Sequence, residues 1–376
     1  MILCILILGL GLASLLINKR PLHILTAVLL PLPALVSFLL LVFSTSYRAQ
    51  ILWGLGVFLI LLWYPAVFLR KHGKVVLRIA CLATALCLLS SGALYGMERY
   101  RESITLREAQ DLLDRYTPYG EDSLVARLDA PPTLRLEEPL PRMDGATALY
   151  PIYSAFARAL YPEEQIEGHL LCSTTTGAWD AIVRGDSDII FTAAPSREQL
   201  QEAEDRGVTL NFTPIGKEAF VFFVNAKNPI ESLTLAQVRS IYAGKTTHWR
   251  DLDVPSLGRI RAFQREPGSG SQSALIRLMG GIVHAVSDYQ NHPGAIGYSF
   301  RFYLTQMLAR GDIKPLSLEG IASTRENIEN GAYPVSDAFY AVTRADADEN
   351  TRALLAWIIS PQGQELIEKT GYTGIA

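Results

Sequence analysis

The stretch REPGSGS at residues 265–271, followed by the helical segment QSALIRLM, decides how this sequence is interpreted. Its glycines and serines form a turn that enters a helix, and such a start leaves backbone N–H groups exposed at the positive end of the helix dipole. Arg265 adds a planar fork of donors that suits a tetrahedral oxyanion. The stretch therefore predicts an anion-binding turn, with an ordinary capped surface loop as the alternative.

Two nucleotide-binding motifs that also use glycine-rich turns do not fit this stretch. A Walker A loop requires Lys after its last glycine, and Ser271 follows Gly270 here. The G-x-G-x-x-G pattern of dinucleotide-binding folds is absent from the turn as well. The sequence therefore gives little support to nucleotide binding.

The first 96 residues differ sharply in composition from the rest, since they contain no Asp or Glu. A spanning helix needs about 20 apolar residues, and four apolar runs approach or reach that length. They are residues 1–17, 22–43, 50–69 and 75–96. We therefore expect four transmembrane helices in residues 1–96. A cleaved signal peptide is the alternative for the first run, but three more runs follow it and no basic residue precedes it.

The basic residues between these runs predict the orientation of the chain. Lys19 and Arg20 follow the first run, whereas the loop after the second run carries only Arg48. Four more basic residues lie between or beside the third and fourth runs: Arg70, Lys71, Lys74 and Arg78. Positively charged loops face the cytoplasm. We therefore expect a multi-pass cell-membrane protein, in contact with lipid, whose C-terminal domain is extracytoplasmic.

Charge and cysteine content exclude several functions for the remaining 280 residues. Seven of the 34 Lys and Arg lie in residues 1–96, which leaves 27 basic against all 37 acidic residues. A net charge of about −10 argues against nucleic acid as a partner. Cys172 is the only cysteine outside the apolar runs, so this part can form no internal disulfide, and we expect Cys172 to be a buried small residue.

From about residue 144 onward, short apolar strands alternate with helical segments, which predicts an α/β domain. Strands are expected at residues 168–172, 188–192, 219–225, 261–263, 294–299 and 337–343. About 230 residues suffice for two lobes around a cleft. Residues 97–140 contain a short helical pattern at 105–116 and a Pro-rich stretch. They are expected to form a stalk or linker, unless they pack on the domain that follows.

Two further helix starts are rich in glycine or hydroxyl groups, at Asp144–Ala148 and Thr174–Gly177. Ser and Thr often serve there only as helix caps. Together with Gly268–Ser271, however, they make three such starts in one domain. If all three face one cleft, they can hold an oxyanion by N–H groups and hydroxyls.

These segments resemble the phosphate-binding proteins of ABC transporters, a PstS-like family with the two-lobed type II periplasmic-binding-protein fold. The resemblance covers residues 140–376 and rests on DGATALYPIY at 144–153, TTTG at 174–177, DIIFTAAP at 188–195 and the turn at 265–271. It implies a solute-binding domain at 141–376, which follows the all-helical membrane region expected from the apolar runs. Lobe one would comprise about 141–222 and 300–376, and lobe two about 223–299.

The resemblance also implies which residues hold phosphate. Seven positions of this sequence match the ligand-binding segments of the family: Thr147, Ala148, Thr175, Arg265, Ser269, Gly270 and Ser271. In this family an Asp accepts the proton of hydrogen phosphate and repels sulfate, but Ala193 stands in that segment here. Pro267 likewise replaces an acidic residue that often restrains the Arg, a role that Glu266 could take.

Together with the four expected spans, the resemblance implies a membrane-anchored solute-binding protein that captures inorganic phosphate, or a related oxyanion, for an ABC transporter permease. It implies no cofactor and no metal. An enzyme is not expected, because the histidines of this part form no H-x-x-x-H pair and Thr174–Thr176 has no adjacent base. Two alternatives stay open. Four spans exceed what an anchor needs, which suits a membrane-coupled oxyanion sensor, and Ala193 is compatible with a surface protein that has lost its ligand.

Overall fold

The computed structural model describes Gly96, Met97, Arg99 and residues 110–281, 283–285, 289–308 and 311–375. The four expected membrane spans lie outside these residues, apart from Gly96 at the end of the fourth, and stay predictions. Within the described part, none of the helices combines the length and the apolar character needed to cross a bilayer. Residues Ile104–Ala376 form one compact unit.

Strands and helices alternate along this unit. The strands are β1 (Met143–Gly145), β2 (Ile189–Ala193), β3 (Leu210–Asn225), β4 (Ser232–Leu233), β5 (Arg261–Ala262), β6 (Ala295–Phe300), β7 (Ile313–Pro315), β8 (Ser317–Leu318) and β9 (Ser336–Arg344). The α-helices are α1 (Gln110–Asp114), α2 (Tyr150–Leu160), α3 (Thr174–Arg184), α4 (Arg197–Asp205), α5 (Leu235–Tyr242), α6 (Gly270–Met279), α7 (Arg325–Glu329), α8 (Glu349–Ile358) and α9 (Pro361–Thr370). The expected α/β class is confirmed.

One mixed sheet forms the centre of this unit, with the strand order β1-β2-β9-β3-β6-β5 and β7 beside β3. The long strand β3 links its two halves. The first half of β3 pairs antiparallel with β9, ending at Ala219 opposite Ser336. The second half pairs antiparallel with β6, beginning at Phe220 opposite Phe300. Because β3 runs through both halves, it sets their relative position.

The first half of β3 was not expected from the sequence, which predicted a strand only at 219–225. Pro214 lacks a backbone N–H and Gly216 packs no side chain, so both residues argue against a strand interior. The structure accommodates them by a shift in register between Pro214 and Gly216. The ring of Phe339 fills the space there, since its Cζ would lie 2.3 Å from a Cβ on Gly216.

The buried side chains form separate cores around the two halves of the sheet. Around the first half, successive side chains of β2 point to opposite faces of the sheet. Ile189 and Phe191 pack with α2, α8 and α9 on one face, whereas Ile190 packs with α3 on the other. A second core surrounds the end of β3, β6, α5 and α6, and it includes residues up to Tyr333. The expected lobe boundaries stay predictions, but this packing favours an end of lobe two near residue 335 rather than 299.

Residues 110–140 pack on the domain, which is the alternative that the sequence left open beside a stalk or linker. Tyr116, Val125 and Leu140 are buried in the first core. Polar contacts add to this packing, since the Thr133 N–H donates to Gln362 Oε1 over 2.7 Å and Lys369 pairs with Asp129. The segment therefore belongs to the folded domain, because its apolar residues are needed to complete the core.

The structure differs from the sequence-based expectation at two further places. The expected strand at 168–172 is reduced to a single bridge between Leu170 and Met143. Helix α4 was not predicted, because it offers almost no apolar periodicity and buries only Gln199 and Ala203. Its start is fixed by a reciprocal capping pair of Ser196 and Gln199, and that capping box was the available signal.

Candidate functional site

The described residues line a cavity of about 380 Å³ between the two halves of the sheet. All three hydroxyl- or glycine-rich helix starts contribute to its wall. So do all seven residues predicted to hold an oxyanion: Thr147, Ala148, Thr175, Arg265, Ser269, Gly270 and Ser271. Their convergence on one cavity is a geometric finding, whereas their role as ligands stays a prediction.

The start of helix α6 forms one wall of the cavity. Ser269 caps the helix, and its hydroxyl oxygen accepts the N–H of Gln272 over 3.3 Å. The N–H groups of a first helical turn have no partner within the helix. Gly270 brings them close to the opposite wall, because a Cβ at this position would lie 3.4 Å from Ala193 Cβ and 3.5 Å from Thr175 Oγ1. Ala193 therefore faces the cavity beside the predicted ligands.

Arg265 is positioned by its backbone and by an aromatic partner. Its N–H donates to Gln272 Oε1 over 3.0 Å and to the Tyr298 hydroxyl oxygen over 2.9 Å. The Arg265 side chain also interacts with Tyr303. Burial raises the pKa of Tyr303, and the neighbouring Arg265 charge opposes that rise. The sequence suggested Glu266 as the restraint, and it gave no signal for Tyr303.

The start of helix α3 is organised by a buried carboxylate. Asp144 is 1% exposed, and its Oδ1 accepts the N–H groups of Gly145 over 2.7 Å and Ser173 over 2.9 Å. The Ser173 hydroxyl donates to Oδ2. The next residue, Thr174, has a φ of 69°, a conformation that costs a non-glycine residue about 1–3 kcal/mol. The Asp144 contacts offset this strain and hold Thr174–Thr176 at the cavity wall.

We expect Asp144→Asn to loosen this turn and to lower the free energy of unfolding by about 1–2 kcal/mol. The amide keeps one acceptor oxygen but leaves the Ser173 hydroxyl or a buried N–H group poorly satisfied. Urea unfolding followed by circular dichroism measures the change. Asp346→Asn is the matched control, because the Asp346 side chain is 74% exposed. Equal stability of both variants would contradict the role given to Asp144.

The third segment places Thr147 and Ala148 beside the cavity in a short 3₁₀ turn, Thr147–Leu149. The carbonyl oxygen of Ala148 accepts the Tyr372 hydroxyl, which ties the turn to the C-terminal segment. Thr147 also contacts Cys172, whose pKa is raised by burial. Cys172 is partly rather than fully buried, and the raised pKa keeps its thiol protonated at neutral pH.

The Glu218 carboxylate at the cavity is occupied by protein donors. Glu218 is 3% exposed and lines the cavity. Its Oε1 lies 3.2 Å from Arg301 Nε and accepts the Ala219 N–H, and its Oε2 accepts the Phe302 N–H. Burial raises the pKa of Glu218, and the Arg301 charge opposes the rise. Sequence reasoning missed this pair, because its members lie 83 residues apart.

Asp188 has a structural role at the start of β2. Its carboxylate accepts from the backbone N–H, Nε and Nη2 of Arg142 at 2.8–2.9 Å. Burial acts to raise the pKa of Asp188, but the hydrogen bonds and the charge of Arg142 bring it below its ordinary value. This pair fixes the start of β2 and lies apart from the residues that line the cavity.

Contacts across the rim join the two halves of the domain. Arg277 on α6 donates from Nη1 to the Ala194 carbonyl oxygen over 3.0 Å, and its Nη2 lies 3.2 Å from Asp337 Oδ2. Gln199 Nε2 donates to the Gly268 carbonyl oxygen over 3.3 Å. We call these contacts of Arg277 and Gln199 the rim contacts. The Arg277 contacts hold the last turn of α6 near the end of β2, and the Gln199 contact holds the turn before α6 against α4.

Curated relatives of this chain are named phosphate-binding proteins rather than enzymes, in agreement with the expectation from the sequence. Phosphate-binding protein PstS 2 of Streptococcus agalactiae is 29% identical over 145 residues, which cover 32% of this chain and 48% of that relative. This chain therefore spans about half the length of that relative. Phosphate-binding protein PstS of Pseudomonas aeruginosa is 25% identical over 265 residues, covering 61% of this chain and 80% of the relative.

A solved structure shows the same fold. It is a Clostridium perfringens protein assigned as a phosphate ABC transporter substrate-binding protein, with bound phosphate, and it matches with a TM-score of 0.52 at 23% identity. The match covers 62% of this chain and 99% of that protein. The model of the PBP superfamily domain matches residues 140–362, which is more than half of the sequence. The chain belongs to the PBP superfamily.

Proposed function

We propose that this chain is a solute-binding protein that captures phosphate, or a related tetrahedral oxyanion, between the two halves of its α/β domain. The observation that carries the proposal is the convergence of three segments on one cavity, each supplying hydroxyl or N–H donors, around Arg265. Oriented N–H dipoles and one guanidinium can neutralise a dianion without a metal. The names of the relatives support the same ligand.

Calorimetric titration of the purified full-length chain in detergent, first with phosphate and then with sulfate, tests the proposal. Binding of phosphate supports it. Binding of both ions indicates that Ala193 leaves the site unable to exclude a fully ionised anion, because a carboxylate there would repel sulfate. A folded protein that binds neither ion would overturn the proposal and favour a surface protein without a ligand.

The proposal extends to the membrane. Four spans in residues 1–96 would place the binding domain outside the cytoplasm and near an ABC transporter permease, which is the partner that the resemblance implies. The charge asymmetry of the loops supports this orientation. Protease added to intact spheroplasts should remove the C-terminal domain. Protection of the domain until the cells are lysed would contradict the orientation.

We expect Arg277→Ala to weaken phosphate binding about fivefold without changing the unfolding midpoint by more than a few tenths of a molar urea. The variant removes a partly exposed ion pair, worth about 0.2–1 kcal/mol, and one hydrogen bond, worth about 0.5–1.5 kcal/mol. Both contacts favour the arrangement in which the two halves of the domain are joined across the rim. The defect should shrink at high salt. Arg325→Ala, which breaks an exposed pair with Glu329, is the control, and an equal loss there would refute the role of the rim contacts.

A further inference from the structure

The cavity exceeds the size of a bare tetrahedral ion, although its rim is already bridged. Its volume is about 380 Å³, and water in the liquid occupies about 30 Å³ per molecule, so the cavity could hold roughly a dozen waters. Pockets of about 300–1,000 Å³ typically hold small organic molecules. The rim contacts of Arg277 and Gln199 span 3.0 and 3.3 Å, so this volume persists with the two halves in contact.

Part of the cavity wall is aromatic. Phe223, Phe263 and Tyr289 line it, and we call them the aromatic end. The ring of Tyr289 packs against both phenylalanines, with centroids 4.9 Å from Phe223 and 5.2 Å from Phe263. Gly297 allows this packing, because a Cβ there would lie 2.7 Å from Phe223 and 2.8 Å from Tyr289. Such a surface suits an apolar or aromatic group rather than an ion.

The aromatic end lies close to Arg265 along the chain. Phe263 precedes Arg265 by two residues, a separation of at most about 7 Å along the backbone. Strand β6 holds this segment in place, since the Phe263 N–H donates to the Ile296 carbonyl oxygen over 3.0 Å. A ligand that places its anion at Arg265 can therefore extend an apolar group to the aromatic end.

The carboxylates that line the cavity are already engaged by protein donors, with which the proton of hydrogen phosphate would have to compete. Both oxygens of Glu218 accept N–H donors of the protein, and Asp337 accepts the Ala338 N–H and pairs with Arg277. Glu266 is exposed, and Ala193 presents only a methyl group beside the start of α6. A phosphate monoester or a phosphonate as its dianion has no such proton, so it leaves no donor unsatisfied.

We propose that this site takes a phosphate group that bears an apolar or aromatic substituent, as in a phosphate monoester or a phosphonate. The anion lies at Arg265 and the three helix starts, and the substituent lies at the aromatic end. This assignment rests on the proposed function, since it names the ligand class of the same site. It differs from capture of the inorganic ion, because burial of the substituent adds apolar contact that the bare ion cannot make.

Competitive calorimetry on the full-length chain with phenylphosphonate and inorganic phosphate tests the assignment. Phenylphosphonate cannot release phosphate by hydrolysis, and at about pH 8 its second ionisation is largely complete. We expect it to bind at least as tightly as inorganic phosphate. Weaker binding than that of inorganic phosphate would overturn the assignment while leaving the proposed function intact. Binding of neither ligand to the folded chain would overturn both.

A single substitution provides a second test that does not depend on absolute affinity. In Ala193→Asp, the new carboxylate would face the anion and should weaken phenylphosphonate binding about a hundredfold, because this dianion offers no proton. Inorganic phosphate can present its proton to the carboxylate and should lose less than tenfold. Ala345→Asp, which adds the same charge at an exposed position, should change neither affinity. An equal loss of both ligands in Ala193→Asp would contradict the assignment.

Discussion

Arg265→Ala should weaken phosphate binding about a hundredfold and leave the fold intact. Among the described residues that line the cavity, Arg265 is the only basic one. A hydrogen bond to a charged group is worth about 1.5–3 kcal/mol, and each 1.4 kcal/mol changes an affinity tenfold. The fold should persist, because Gln272 and Tyr298 contact the backbone N–H of Arg265 rather than its side chain.

Two further variants separate direct contact from general electrostatics. Arg261→Ala removes the same charge from an exposed position of β5, so it should weaken binding less than threefold at physiological salt. Arg265→Lys should give an intermediate affinity, because it keeps the charge but loses the planar fork. Calorimetric titration measures all three. If Arg261→Ala lost as much affinity as Arg265→Ala, net charge rather than the guanidinium contact would explain the effect.

Where its signals are local, the sequence predicted which segments reach the cavity. A glycine- and serine-rich segment before a helix is visible without tertiary information, and Gly268–Ser271, Thr174–Gly177 and Asp144–Ala148 all reach the same cavity. The groups that hold these segments in place were not predicted. Tyr303 supports Arg265 across 38 residues of sequence, and Asp144 binds Ser173 across 29. Contacts of this kind arise only when the sheet brings distant segments together.

The fold shows the same division between local and long-range information. Strand β6 and helix α6 were predicted, because the apolar run of the strand and the glycine- and serine-rich turn before the helix are local features of the sequence. The first half of β3 was not, since Pro214 and Gly216 weaken its local preference and pairing with β9 stabilises it. For residues 110–140 the sequence left both a linker and packing on the domain open, because the surface on which their apolar residues pack is formed by distant parts of the chain, among them α8 and α9.

The largest loss of stability is expected for Glu218→Ala. The pair of Glu218 and Arg301 is 4% and 13% exposed in its side chains, and Arg301 Nη2 also donates to the Gly371 carbonyl oxygen over 2.7 Å. Removal of one partner leaves the other charge buried without compensation, which costs about 3–5 kcal/mol. Urea unfolding should show this loss. Asp186→Ala, which breaks an exposed pair with Arg184, should cost less than about 0.5 kcal/mol.

A double replacement distinguishes a structural ion pair from a ligand-binding group. Glu218→Leu combined with Arg301→Leu removes both charges and should recover part of the stability lost in Glu218→Ala, because apolar residues of similar size can replace a buried pair. Phosphate affinity gives the second measurement. If Glu218 only joins β3 to the segment after β6, Glu218→Gln should lower stability while the folded fraction binds phosphate nearly as the unmodified chain does. A large loss of affinity with unchanged stability would instead place the Glu218 carboxylate among the groups that contact the ligand.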